Sequence, residues 1–207
     1  DNPNVRFLNC SVNTSHRYIR TYYVRLHEAK FLMGAIAGAM AENDKISYIA
    51  DYPISGTIAN INAFALGAKM INPRAKVHLE WSCLKDGNVM EKVKAIDPSC
   101  ISTRDLLIPN EKSRYFGIYH VEGERARNLA TPLIHWGKFY EQLIRAIMDG
   151  SWKYDDDSVN KAINYWWGMS SGVVDVRLAD TVPAGVRKLA EILQRDIRMS
   201  ILNPFDQ

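Results

Sequence analysis

The sequence predicts an α/β architecture with helices on both faces of parallel sheets, and three observations carry that prediction. Short apolar runs alternate with longer stretches of helical spacing from Val5 to Arg195. Between Lys45 and Trp81 the order strand, helix, strand fits a right-handed crossover between parallel strands. The chain has 207 residues and is 47% hydrophobic, which suffices for one substantial core or two small ones.

Each element has its own signal. "VRFLNC" (Val5 to Cys10) reads as a short buried strand, and "EAKFLMGAIAGAMA" (Glu28 to Ala41) as a helix with Phe31, Leu32, Ile36 and Met40 inward. Gly34 and Gly38, one turn apart, permit a close helix contact; Asn43 and Asp44 then break the helix. "KISYIADYP" is the next strand, Ser55 the expected N-cap, and "GTIANINAFALGAKM" the helix it starts. After the turn "NPR", "KVHLEW" is a strand. A short helix over Asp86 to Ala95, a strand near Cys100 to Thr103 and another at "YFGIYHV" follow. In "TPLIHWGKFYEQLIRAIMDGSWK", Phe139, Leu143, Ile144 and Ile147 share one helical face and Gly150 closes the helix. "GVVDVRL" reads as a late strand, and Pro183 opens a last helix to Arg195. Trp166 and Trp167 are adjacent, so on a strand they face opposite sides.

Composition excludes several functions. Lys and Arg number 26 against 23 Asp and Glu, a net +3 with mixed signs, so nothing in the charge favours nucleic acid or an anionic membrane. Cys10, Cys83 and Cys100 are odd in number and lack metal spacing. The glycines of "MGAIAGAM" lie inside a helix, where they cannot cradle a phosphate. No serine sits in a nucleophile elbow. Cys83 with His120 or His135 would supply a nucleophile and a base, but no spacing fixes such a dyad, and a packed thiol is the plainer reading. The sequence therefore indicates no enzyme, no metal and no cofactor.

Ligands of open α/β sheets bind beyond the carboxyl ends of the strands. That rule selects the loops "ADYPISG", "WSCLKDG", "TRDLLIP", "HVEGE" and "LIHWGK", which are expected to converge on one edge. They offer flat aromatic faces in Trp81, Tyr119 and Trp136, and carboxylates in Asp51, Asp105 and Glu122. A planar heterocycle attached to a sugar asks for that combination, stacking on the ring and paired hydrogen bonds to the hydroxyls. Singly, a tryptophan is more often core and a loop aspartate more often a cap or turn residue. Their joint placement after consecutive strands favours a ligand.

The strings "EAKFLMGAIAGAM", "KISYIADYPISGTIANINAFALGAKMINPRAKVHLEW", "HWGKFYEQLIRAIMDGSWK" and "WWGMSSGVVDV" resemble the basic membrane protein (Bmp) family, the nucleoside-type substrate-binding proteins of ABC importers. The resemblance runs from about Asn4 to Phe205. It implies a type I periplasmic-binding fold: two lobes joined by crossing strands and closing on a ligand, usually a purine nucleoside. Residues 1–43 and 136–164 would form an incomplete first lobe, and residues 44–135 and 165–207 the second. Trp136 would stand at the cleft mouth, and Glu122 would hold ribose where the family commonly has Asp. The implied partners are a nucleoside-like ligand and an ABC permease, with self-association or a further amino-terminal segment completing the first lobe. The family places such proteins outside the cytoplasm as anchored lipoproteins. Three unpaired cysteines and the lack of a signal peptide in this chain favour the cytoplasm instead, where the same fold would serve as a ligand-sensing regulatory module; both placements stay open here.

Overall fold

A computed structural model describes residues 5–10, 19–84, 87–104, 116–151 and 165–206. Within them lie two sheets. The smaller has three strands in the order β1 (Phe7–Asn9), β2 (Ile19–Val24) and β8 (Tyr165–Trp167), all parallel. The larger has six, in the order β4 (Lys76–Trp81), β3 (Lys45–Ala50), β5 (Cys100–Ser102), β6 (Ile118–Glu122), β7 (Arg125–Ile134) and β9 (Val174–Leu178).

The crossover expected between Lys45 and Trp81 is present: β3 and β4 pair in parallel through Lys45 with Lys76 and Ala50 with Trp81, joined by α2 (Ser55–Ile71). β3 also pairs in parallel with β5. Beyond β5 the expectation of parallel pairing fails, because β5–β6, β6–β7 and β7–β9 are antiparallel. For β6 and β7 the reason is local. Gly123 takes φ +59 in the two-residue turn between β6 and β7, a left-handed conformation that closes a hairpin without steric cost. A hairpin reverses the chain, so β7 cannot run parallel to β6.

α1 (Leu26–Met40) is the most deeply buried helix, with no exposed residue before Ala39. It packs on β5, β6, β7 and β9, with α2 and α5 (Ala184–Arg198) against it. Although α1 lies within the span expected for the first lobe, its packing puts it on the six-stranded sheet; β8, expected with the second lobe, pairs with β2 in the smaller sheet. The α1–α2 contact is a backbone contact. A Cβ on Gly34 would lie 2.0 Å from the Phe64 carbonyl oxygen, and one on Gly67 would lie 2.0 Å from that of Phe31. Phe31, Leu32, Ile36, Phe64, Tyr48 and Ile118 fill the core beneath.

Two smaller corrections concern helix starts. Ser55 is the first helical residue of α2 and the N-cap is Ile54, with no side-chain cap, so the serine does not serve as expected. α4 (Trp136–Met148) begins at the tryptophan itself, three residues before the periodicity at Phe139 announced it. Gly150, at φ +77, does end that helix. β2 and most of β7 were not expected at all; their interiors mix Arg20, Thr21, Asn128 and Thr131 with apolar residues and so lack a clean period of two.

Candidate functional site

The chain passes between the two sheets three times: at Arg25 between β2 and α1, at His135 between β7 and α4, and at Gly168 to Val173 between β8 and β9. Backbone hydrogen bonds lock these crossings together. Arg25 N–H donates to the Trp167 carbonyl (2.8 Å), His135 N–H to that of Val173 (2.8 Å), and Val173 N–H to that of Gly168 (3.1 Å). Three adjacent crossings thus form the joint between the two sheets.

On the large-sheet side of this joint, the carboxyl ends of β3, β4 and β5 bring three polar side chains together. Asp51 directly follows β3 and its side chain is only 8% exposed. Ser82 Oγ donates to Asp51 Oδ1 at 2.9 Å, and the half-exposed Arg104 places Nε 3.8 Å from the same oxygen. The position follows from pairing: Ala50 lies opposite Trp81, and Ser82 N–H donates to the Ala50 carbonyl, so Asp51 and Ser82 leave the sheet side by side. Tyr52, the next residue, is 58% exposed on the same loop. The arrangement offers an acceptor, a hydroxyl and a guanidinium within one small area, with an aromatic ring at its rim.

The residues expected to form the site divide into groups. Asp51 and Trp81 stand together at the carboxyl edge, with Trp81 partly buried. Trp136 reaches the same edge, two residues past the end of β7, but is three strands away from Asp51, roughly 14 Å at ~4.8 Å per strand. It sits in an aromatic cluster belonging to the smaller sheet. Its ring meets Tyr22 at 6.3 Å and Phe139 at 5.7 Å edge-on and stacks on Tyr140 at 6.0 Å; the Tyr22 and Tyr140 hydroxyls are 3.1 Å apart. Burial and the Tyr140 contact push the Tyr22 phenol well above its usual range. Tyr119 is the second residue of β6, paired with Ile101, one step from the end where Ile118 lies opposite Ser102, so it stands near the carboxyl edge. Asp105 lies outside the described residues.

Glu122 does not join the group. Cys100 pairs with both Ile46 and His120, so Glu122 is level with residue 44 of the neighbouring turn, seven residues before Asp51. At ~3.3 Å per residue that is roughly 23 Å along the strands. Antiparallel β6 carries the "HVEGE" loop to the opposite edge, where Glu122 binds Arg127 and lies 3.5 Å from His120 Nδ1. The expected convergence of five loops is therefore corrected. The same reversal takes His120 away from Cys83. Cys100 is buried, and its thiol is pushed up to about 12 by that burial, with the Glu42 charge adding to it.

Ser82 and Arg104 were missed as site residues although both lie in the selected loops. The aromatic Trp81 and the carboxylate Asp105 drew the choice, while pairing register, which a sequence does not print, decides which neighbour turns toward Asp51. Trp166 and Trp167 do face opposite ways. Trp167 packs on Phe139 at 4.8 Å, whereas Trp166 is 40% exposed, with Arg25 over its ring at 5.3 Å and His27 beside it. Among the described residues no group of His, Cys, Asp and Glu could hold a metal ion, and no helix is long and apolar enough to cross a membrane.

Comparison with known proteins adds a family. Residues 1–92 match the Bmp family model, described as ABC transporter substrate-binding protein PnrA-like. A purine-binding protein of Brucella abortus is 27% identical over 98% of this chain and 59% of its own length. A putative ABC transporter glucose-binding protein of Haloferax volcanii is also 27% identical, over 84% of this chain and 46% of its own length. The chain thus spans about half the length of these curated relatives. Among solved structures, an ABC transporter solute-binding protein from Conexibacter woesei matches with a TM-score of 0.61 at 13% identity, covering 97% of this chain and 71% of the other. A transcriptional activator of the comK gene from Bacillus halodurans matches with a TM-score of 0.69 at 15% identity, covering 98% and 73%. At such identities these structures speak for the fold alone. Over residues 1–92 the chain is thus similar to the Bmp family of ABC transporter substrate-binding proteins, and its α/β fold is of the periplasmic-binding type.

Proposed function

We propose that this chain is the ligand-capturing part of a solute-binding protein, and that it holds a purine or purine nucleoside between two lobes for an ABC importer. The observation that carries this reading is the pairing of a triple crossing with a polar cluster. Asp51, Ser82 and Arg104 meet at the carboxyl ends of β3 to β5, on the side of the large sheet where the crossings leave it. One lobe comprises β1, β2, α4 and β8; the other comprises α1, β3 to β7, α2, α3 (Val89–Ile96), β9 and α5. This division moves α1 and β8 relative to the one suggested by the sequence. Asp51 and Arg104 supply the acceptor and donor for the edge of a base or for sugar hydroxyls, and Tyr52 and Trp81 supply the flat faces. The purine-binding relative supports the ligand class, and the ABC transporter glucose-binding relative supports transport over chemistry.

The glucose-binding relative sets the competing ligand class, because a carboxylate and a guanidinium suit a hexose equally well. Isothermal titration with adenine, adenosine, guanosine and glucose separates the two. Heat with the purines and none with glucose supports the proposal. Heat with glucose alone overturns the ligand class and leaves the binding role intact.

A further inference from the structure

Glu28 sits in the first turn of α1 and is 7% exposed, an unusual place for a carboxylate. Its environment is the joint itself. The Met169 N–H donates to Glu28 Oε2 at 2.6 Å, and Arg25 Nη1 lies 3.7 Å from Oε1. Gly168 is packed so tightly against the carboxylate that a Cβ there would lie 2.3 Å from Oε2. One residue earlier the Trp167 carbonyl accepts from Arg25 N–H, and the Gly168 carbonyl accepts from both Val173 and Val174. Glu28 therefore takes the one amide, Met169, at which the third crossing turns from β8 toward β9, and ties it to the segment that carries the first crossing.

We propose that Glu28 is the positioning residue of the hinge: its bond to Met169 N–H holds the first and third crossings in one geometry and so sets how readily the lobes close. This rests on the lobe-closing reading above, and goes beyond it by naming a residue that governs affinity without touching the ligand. The physics is that of a fractionally populated competent state. Loosening the tie spreads the lobes over more open arrangements, and apparent affinity falls with the fraction able to close. A hydrogen bond to a charged group lost at the joint corresponds to a drop of about tenfold.

The test compares wild type with Glu28→Gln, Glu28→Ala, Gly168→Ala and the double variant Glu28→Ala/Gly168→Ala in the intact chain. Three readouts are taken: exchange at the Met169 amide, adenosine affinity by calorimetry, and the radius of gyration by X-ray scattering with and without adenosine. Gly168→Ala attacks the same tie from the other side, so it should weaken adenosine binding and deprotect Met169 as Glu28→Ala does. The double variant should be no worse than Glu28→Ala alone. Glu28→Gln keeps one acceptor oxygen and should fall between. If the variants lose Met169 protection and melt earlier but keep wild-type affinity and scattering, Glu28 is merely structural and the proposal is overturned. If wild type itself ignores adenosine, the ligand reading fails, yet the hinge claim is still decided without ligand: the Glu28 and Gly168 variants should show a larger radius of gyration than wild type, and equal values would sink it.

Discussion

The two edges of the six-stranded sheet use nearly the same residue types. At the carboxyl edge Asp51 faces Ser82 and Arg104; at the opposite edge Glu122 faces Arg127 and His120. Their surroundings differ. The Asp51 side chain is 8% exposed, while that of Glu122 is 54% exposed and its partner Arg127 is 52% exposed. An exposed ion pair is screened and contributes little to anything but solubility. A nearly buried carboxylate with a half-exposed cation above it has lost most of its water and can exchange the remainder for a ligand. What separates the proposed binding edge from the opposite one is burial and strand direction, not residue type.

Both edges depend on a platform that does not shift, and that is where the largest effect is expected. Gly34→Ala would thrust a methyl into the Phe64 backbone, which cannot move as a side-chain tip can. We expect a loss of about 3 kcal/mol or more, read as a lower denaturant midpoint. A neutral Gly34→Ala would mean that α1 and α2 can slide, and that the two edges are not held by one rigid sheet.

The comparison itself is broken or kept by ligand affinity. Asp51→Asn and Arg104→Ala should each weaken purine binding by roughly ten- to a hundredfold, the range for a charge-assisted hydrogen bond. Equal losses from Glu122→Gln would erase the distinction between the edges. Trp136→Ala separates two roles of the aromatic cluster. With three rings against it, the tryptophan is expected to contribute to the smaller lobe's stability, about 2 kcal/mol for a partly buried ring, measured by thermal melting without ligand. A loss of affinity with an unchanged melt would return it to the cleft.

Acid should act on the joint side through His27. This ring lies between Trp166 and Phe205 and is 6% exposed, and burial together with the neighbouring Arg25 charge lowers its pKa from 6.5 to about 4. The unfolded chain therefore binds a proton that the folded chain refuses between these values. Its contribution is fully present above pH 6.5 and is lost as pH falls toward 4, about 2 kcal/mol at pH 5. Glu28, whose carboxyl burial pushes upward, works in the opposite direction, losing stability as pH rises above its unfolded value. Subtracting the pH profile of His27→Gln from that of wild type isolates the histidine; identical slopes between pH 4 and 6.5 would remove it from the account.

These contrasts mark how far the residues alone could lead. The strands Lys45 to Ala50 and Lys76 to Trp81 were legible because each is a short β-rich run bounded by turn residues, and α2 because its helical pattern fills the space between. The carboxyl-edge rule then located Asp51 and Trp81. It failed at "HVEGE" because it assumes parallel strands, whereas β6 enters the sheet antiparallel to β5 and ends at the opposite edge. Arg104 and Glu28 were beyond reach for a different reason. Their partners, Asp51 and Met169, lie 53 and 141 positions away along the chain, and only the folded register brings them together.

The smallest expected effect is the sharpest test of the edge argument. Glu122→Gln should leave purine affinity within about twofold of wild type, since roughly 23 Å of strand separates it from Asp51, more than a nucleoside spans. It removes a charge from an exposed pair with Arg127 and from the approach to His120, so stability should change by no more than about 0.5 kcal/mol. Titration of Glu122→Gln beside Asp51→Asn with the same purine checks both statements at once. A loss at Glu122 comparable to that at Asp51 would require the ligand to reach the hairpin edge, and the carboxyl ends of β3 to β5 would then no longer define the site.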